Sequence, residues 1–309
     1  MTHIFIINPY SGQSSLADGL RDKLGTMSGL NYYVFNTRYP GYEKILVGKI
    51  RHFFEGEKLR FYCCGGEGTM RNMLCGFDDL SEAEVAFFPC GMTNDFLKVF
   101  RPEEAAYFRD IEELIYGDVI NVDYIHTNYG AALNTISFGL DTQTCLLMDD
   151  YRALKIFGDT LPYSAAIVHS ILLTQQQSYD LEIDGEKLSG VSAETIFGSG
   201  NYLGGNLYFS DSNNVFDGKG GFISAPKLNS IKEIQIMIAM MKHDMNHIHK
   251  VCSHGEFERF SIRRTDGSPF SLNFDGELQS GITQLDAHIV RKGLKFVVPK
   301  GLKGGGGNE

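Results

Sequence analysis

Over roughly the first 125 residues, short apolar runs alternate with apolar residues at helical spacing, and this alternation restricts the fold more than any other feature. The run Ile4-Phe5-Ile6-Ile7 precedes a loop and then Leu16, Leu20, Leu24 and Met27, spaced for one face of a helix. Tyr32 to Phe35 precedes Ile45, Ile50 and Phe53; Leu59 to Cys64 precedes a short helical pattern, and Glu84 to Phe88 precedes another. Strands alternating with helices predict a parallel sheet covered on both faces. In such a sheet ligands bind beyond the carboxyl ends of the strands, so the loops that follow the strands are where chemistry belongs.

After about residue 125 the rhythm changes. Glycine-rich turns separate extended runs such as Tyr179 to Ile183, Thr195 to Phe197 and Phe270 to Phe274, and the pairs Asp184-Gly185 and Asp275-Gly276 are strong hairpin signals. This half reads as a mostly antiparallel β-sandwich. One helix interrupts it, with Ile231, Ile234, Ile238, Met241, Met245 and Ile248 forming an apolar stripe. A chain of 309 residues suits two domains: an α/β domain over 1–125, a β-rich domain over 126–289, a last strand at about 290–303 returning to the first domain, and a flexible glycine-rich tail at 304–309.

The net charge of -10 lacks the basic footprint of a general nucleic-acid binder, so no nucleic-acid partner is expected. It also argues against a polybasic membrane clamp, while leaving room for a local, peripheral membrane contact. The most apolar runs, Ala165 to Val168 and Ile231 to Met241, are interrupted by His169, Lys232 and Glu233 well before the ~20 residues of a spanning helix. The amino terminus reads as a first strand rather than a signal peptide. Six cysteines without a Cys-x-x-Cys pair suggest neither a disulfide framework nor a zinc site, and a reducing cytoplasm is the simplest setting. Oligomeric state, a homodimer included, is open at this level.

Three strand-to-helix loops have the composition for chemistry: Asn8-Pro9-Tyr10-Ser11-Gly12, Gly65-Gly66-Glu67-Gly68-Thr69 and Gly91-Met92-Thr93-Asn94-Asp95. Glycines allow close backbone approach, and a helix that starts there presents unpaired N–H groups to an anion such as a phosphate. Neither the P-loop pattern nor Gly-x-Gly-x-x-Gly after a strand is present, which disfavours a P-loop ATPase and a Rossmann dehydrogenase.

In this order, the three loops followed by a late Asp275-Gly276-Glu277 resemble the diacylglycerol kinase catalytic-domain family, which includes sphingosine and ceramide kinases. Asn121-Val122-Asp123 and Gly204-Gly205-Asn206 extend the similarity along nearly the whole chain. The resemblance implies an ATP-binding α/β domain related to those of NAD kinases, a lipid-holding β-rich domain, and an active site in the cleft between them. It further implies a Mg²⁺-dependent kinase that transfers the γ-phosphate of ATP to a hydroxyl of diacylglycerol or a similar lipid at the membrane surface.

By resemblance, Asn8, Ser11, Gly12, Gly65, Gly66, Gly68 and Thr69 would hold phosphates, and Asn94 with Asp95 would shape the nucleotide site. Asp275 or Glu277 would be the base or a metal-linked carboxylate, Glu67 is the third candidate catalytic carboxylate, and Asp123 is the candidate for a structural Mg²⁺. Asp184-Gly185-Glu186 repeats the late tripeptide; the residues alone do not choose between the copies, and position in the family order favours the later one. His243, His247 and His249 invite a metal reading, but a solvated helix face accounts for them better.

The chain departs from the family at Glu67, where Asp is usual, at Met70-Arg71-Asn72 in place of Leu-Asn-Glu, at Met92 for Thr, and at Gln13 for a basic residue, with Arg71 a substitute cation. Two rivals therefore stand beside the lipid kinase: a catalytically weakened nucleotide- or lipid-binding member, and a soluble-substrate kinase of the NAD kinase kind.

Overall fold

The structure is a computed structural model that describes residues 1–12, 14–91, 93–100, 102–153, 161–173, 177–300 and 302. Gln13, Met92 and the tail at 304–309 lie outside the described residues. The chain forms two compact units: one of Met1–Tyr124, Val215–Asp217 and the described residues from Val290 onward, the other of Ile125–Asn214 and Gly218–Ile289.

The first unit contains β1 (Thr2–Ile7), α1 (Ser14–Thr26), β2 (Tyr32–Asn36), α2 (Tyr42–Phe53), β3 (Leu59–Gly65), α3 (Glu67–Leu74), β4 (Glu84–Pro89) and α4 (Ile111–Ile115). The strand β5 (Asp118–Thr127) leads out of it. Its sheet is parallel: β2 pairs β1, β1 pairs β3, and β3 pairs β4. Every residue of β1 is buried, as a central parallel strand covered on both sides requires. The chain moves from β1 to β2 on one side and then to β3 on the other, so the strand order reverses between β1 and β3. The loops leaving those two strands diverge at that switch point, where α/β sheets bind ligands.

The second unit continues with β6 (Gly130–Ala132), β7 (Thr135–Gly139), α5 (Leu140–Ala153), α6 (Leu161–Leu173), β8 (Gln177–Ile183) and β9 (Glu186–Gly198). After β9 come the two-residue strands β10 (Tyr202–Leu203) and β11 (Leu207–Tyr208), then β12 (Gly220–Pro226), α7 (Ser230–Met241) and α8 (Met245–His249). The chain then runs through β13 (Ser253–Phe257), β14 (Arg259–Arg264), β15 (Phe270–Phe274), β16 (Glu277–Ile282) and the long β17 (Gln284–Val298). The pairings within this unit are antiparallel. Strands β16 and β17 stand at opposite ends of its strand order, yet both feed one core with Ile282 and Leu285, so the sheet wraps over a single interior built on Phe138, Phe197, Phe260 and Phe274. The far end of β17 belongs to the first unit, where Lys295 to Val297 pair in parallel with β4 and Phe296 meets the rings of Phe96, Phe100 and Phe108.

Both Asp-Gly pairs are two-residue hairpin turns with positive φ at both positions: 50° and 86° at Asp184 and Gly185, 51° and 86° at Asp275 and Gly276. That is the backbone a tight hairpin of the matching twist demands.

Two expectations need correction. The β-rich half holds α5 and α6 as well as the single expected helix. The sequence Leu161 to Leu173 is apolar almost all round, so it offers no stripe to reveal its period. The expected helix from Ile231 to Ile248 is also two helices, broken at His243 with φ 56°. The core side of α7 is Ile236, Ala239 and Met240, while Ile231, Ile238 and Met241 of the predicted stripe are exposed.

Candidate functional site

The carboxyl ends of β1, β3 and β4 bring the three predicted loops of the first unit together. Asn8 sits at the end of β1, where its Nδ2 donates to Thr69 Oγ1 at 2.9 Å and its Oδ1 accepts from the Tyr10 N–H at 2.9 Å. It thereby fixes its own turn and ties the first loop to the second. Gly65 ends β3 and Gly66 is the N-cap of α3, so the cap position has no side chain to satisfy the first N–H groups of that helix. Orphan N–H groups of this kind, at the positive end of a helix dipole, suit an anion.

Loops two and three are in backbone contact. A Cβ on Gly91 would lie 2.7 Å from the Gly66 Cα, and one on Gly65 would lie 2.7 Å from the Thr69 side chain. Cys90 and Gly91 both donate backbone N–H groups to the Gly65 carbonyl, at 2.8 and 3.1 Å. Glu67 reaches across as well: its Oε1 accepts from the Phe96 N–H at 2.7 Å, and Thr93 Oγ1 lies 3.4 Å from its Oε2. Ser11 is half-buried with its Oγ close to Gly66, whereas Gly12 is exposed. Gly68 lies in the first turn of α3.

Asn94 adopts φ 48° and donates from Nδ2 to the Gly91 carbonyl at 2.8 Å, bracing the third loop, while its buried Oδ1 has no hydrogen-bond partner among the described residues. The buried Asp95 accepts from Lys98 Nζ at 2.6 Å. Arg71, the proposed substitute cation, is buried on α3.

Asp123 lies elsewhere in the first unit and is fully buried. Its Oδ1 accepts from the Lys292 N–H at 2.6 Å and its own N–H donates to the Val215 carbonyl at 2.7 Å, so it joins the three separate stretches of that unit. No cluster of three or more His, Cys, Asp or Glu side chains suited to a metal occurs among the described residues. His243 stacks on Tyr208 and His249 on His254.

In the second unit the buried Asp275 carboxylate accepts three backbone N–H groups, from Leu133 at 2.6 Å, Asn134 at 2.9 Å and Thr135 at 2.7 Å. The exposed Asp184 uses the same turn geometry to hold only the N–H groups of Glu258 and Arg259. Glu277 begins β16 just after the Asp275 turn and is half-buried.

This unit also contains an apolar cavity with about 750 Å³ of empty space including its mouth, lined by aliphatic side chains such as Ile167, Ile196, Ile223, Ile236 and Met240. The space inside it open to a water-sized sphere is only about 80 Å³, below the ~300–1,000 Å³ of typical small-molecule sites, so most of the larger figure is its open mouth. Three carboxyl groups interrupt the apolar wall, those of Asp141, Glu194 and Glu233. Glu194 Oε2 accepts from the Asp141 N–H at 2.8 Å; Asp141 Oδ2 in turn accepts from Ser137 Oγ at 2.5 Å and Asn273 Nδ2 at 2.6 Å. Burial, and after it the negative charge of Asp141, pushes the Glu194 carboxyl well above the usual carboxylate range. Asn273 stands two residues before Asp275, so a run of hydrogen-bonded polar groups leads from the cavity wall to the strand that ends at the Asp275 turn. Neither Asp141 nor Glu194 was singled out from the sequence. The available signal was one acid directly before the apolar run Thr195-Ile196-Phe197, which an exposed strand position would produce equally well.

An α/β unit with three interlocked loops at its switch point and an antiparallel unit that encloses an apolar cavity define the class: a protein of one parallel α/β domain and one β-rich domain. Residues 2–127 match the model of the diacylglycerol kinase catalytic domain. The chain is 30% identical over 120 residues to "Putative lipid kinase YtlR" of Bacillus subtilis (strain 168), covering 37% of this chain and 38% of that protein. It is 29% identical over 147 residues to "Putative lipid kinase" of Staphylococcus aureus (strain Newman), covering 47% of each. These matches span less than half the length of the curated relatives. The crystal structure of a diacylglycerol kinase from Bacillus anthracis str. Sterne shares the fold, with a TM-score of 0.70 at 17% identity over 97% of both chains. No described helix is long and apolar enough to cross a membrane.

Proposed function

We propose that this chain is an ATP- and Mg²⁺-dependent lipid kinase that phosphorylates a hydroxyl of diacylglycerol or a similar amphiphile. The observation that carries the reading is the interlocked cradle of Asn8, Gly65, Gly66, Thr69, Gly91 and Asn94, where backbone approaches to within van der Waals distance and a helix starts uncapped. Phosphoryl transfer is mostly positioning and charge stabilisation, so a rigid cradle is the part the protein must supply. The wall of the cavity is almost wholly hydrocarbon, the surface an acyl chain seeks and a small polar acceptor such as NAD does not.

Within this reading Ser11 and the backbone of Gly12, Gly65, Gly66 and Gly68 hold phosphate oxygens. Asn94 and Asp95 keep the third loop in shape for the nucleotide. Asp275 is the proposed base, with its orientation fixed by three backbone donors. Glu277, the next acid along the chain, is the proposed metal-linked carboxylate. Mg²⁺ keeps several waters and takes one or two carboxylates together with phosphate oxygens. Glu67, half-buried in the first turn of α3, fits that donor set, and the ion would neutralise charge on the transferred group. Asp123 is the proposed carboxylate for a structural Mg²⁺; it is fully buried, and its Oδ1 accepts from the Lys292 N–H.

The test is incubation with γ-labelled ATP, Mg²⁺ and detergent-dispersed lipids. We expect a labelled phospholipid, and a loss of about 10²–10⁴-fold in rate for Asp275→Ala. Label on NAD and on none of the lipids would defeat the reading. One observation favours the weakened-member alternative: Glu67 commits an oxygen to the Phe96 N–H. That alternative predicts nucleotide-induced thermal stabilisation without turnover, and a gain of transfer in Glu67→Asp.

A further inference from the structure

The stripe Ile231, Ile238 and Met241 has the spacing of a core-facing helix side, yet these residues are 72%, 41% and 52% exposed, because α7 buries Ile236, Ala239 and Met240 instead. The helix is therefore apolar on two sides, and one of them faces outward. Its neighbours repeat the pattern: α6 exposes Val168 and Leu172, and α5 exposes Leu146. Aliphatic side chains exposed in this density mark an interaction surface.

Two further observations identify the occupant. The apolar cavity is walled by the same three helices, through Thr144 of α5, Ile167 of α6 and Ile236, Met237 and Met240 of α7, so the outward aliphatic side chains belong to the elements that enclose it. The charges are also one-sided. The exposed positions of α7 are Ile231, Lys232, Gln235, Ile238 and Met241, followed by the exposed Lys242. The acid of this helix, Glu233, is turned in and accepts from Lys227 Nζ and the Leu228 N–H. In a chain of net charge -10, the exposed positions of α7 itself carry aliphatic residues and a lysine and no acid, the exposed Asp244 lying beyond its end, and such a helix face is complementary to an anionic lipid surface.

We propose that the outer faces of α7 and α6 form a docking surface for an anionic bilayer, seating the cavity walls against the membrane that holds the lipid substrate. This rests on the lipid-kinase reading for the identity of the substrate. Docking itself needs no turnover, and the two can fail separately.

The chain contains no Trp, so Ile238→Trp places a single reporter on the proposed surface. Vesicles of equal parts phosphatidylglycerol and phosphatidylcholine should shift its emission to the blue, and brominated acyl chains should quench it. A Trp at Phe53, 79% exposed on the first unit, should remain unquenched. Adding Ile231→Asp to the reporter variant should weaken vesicle binding on the order of tenfold, as expected when an apolar anchor worth ~1.4 kcal/mol is lost. Unchanged circular dichroism and melting temperature verify the fold of each variant, and Leu172→Trp replaces the reporter if Ile238→Trp misfolds. Identical emission with brominated and unbrominated vesicles overturns the proposal. So does a dimer in light scattering that Ile231→Asp dissociates while vesicles have no effect, which would make this a contact between copies. Lipid phosphorylation in detergent without quenching removes only the docking surface; quenching without phosphorylation removes only the kinase reading.

Discussion

Asp184 and Asp275 occupy the same turn, and the difference between them lies in what their carboxylates hold. Each adopts the left-handed conformation before a glycine, which a short polar side chain tolerates best. Asp184 is exposed and fastens two N–H groups at the surface; Asp275 is buried and fastens three. An amide cannot accept on both of its side-chain atoms, so Asp275→Asn strands a buried donor. A loss of about 2–3 kcal/mol in urea unfolding is expected there, against less than ~1 kcal/mol for Asp184→Asn. Equal losses would show that the buried donors are not what distinguishes the two sites. The tripeptide was readable in the sequence at both places, but burial was not, because it depends on the Leu133 to Thr135 backbone packed opposite.

At the scale of elements, loops two and three are held so close that only glycine fits at Gly91. A Cβ there would meet the Gly66 Cα at 2.7 Å and Asn94 Oδ1 at 2.9 Å, and backbone cannot swing aside as a side chain can. We expect Gly91→Ala to cost about 1–3 kcal/mol through overpacking, and to reduce the thermal stabilisation produced by ATP with Mg²⁺. Gly48→Ala, in open space on α2, should instead be neutral or stabilising by ~0.5–1 kcal/mol through helix propensity. If Gly91→Ala melts and binds as the parent does, the cradle is looser than its geometry implies. Glycine-rich loops after strands could be found by eye; that Gly91 touches Gly66 rather than a ligand or solvent could not. The helix α7 teaches the same lesson in reverse. Its period was legible, but which of its two apolar sides meets the core was decided by the sheet beneath it, where Ile196 and Ile223 receive Ile236 and Met240.

At the scale of the molecule, the first unit is not a continuous stretch of chain. It draws Val215–Asp217 from the middle and the second half of β17 from the far end. Phe296, fully buried among Phe96, Phe100 and Phe108, binds that late strand into the sheet beside β4. Phe296→Ala should therefore cost about 3–5 kcal/mol, the usual range for a buried aromatic. In chemical unfolding it should lower the transition of the first unit, although it lies some 170 residues beyond Tyr124. A variant that unfolds as the parent does would mean the late strand is dispensable.

The sequence by itself determined the class of each half, a parallel sheet with covering helices and then antiparallel hairpins, because residue periodicity and turn chemistry are local and written along the chain. It also determined which loops leave the carboxyl ends of β1, β3 and β4, since their order follows the strands. Only the tertiary structure decided that Glu67 spends an oxygen on Phe96, that Glu194 and Asp141 meet in the wall of an apolar cavity, and that the aliphatic stripe of α7 faces outward. Each of these depends on a surface supplied by residues distant in sequence. Burial, dielectric and hydrogen-bond partners come from that surface and not from the neighbouring residues in the chain.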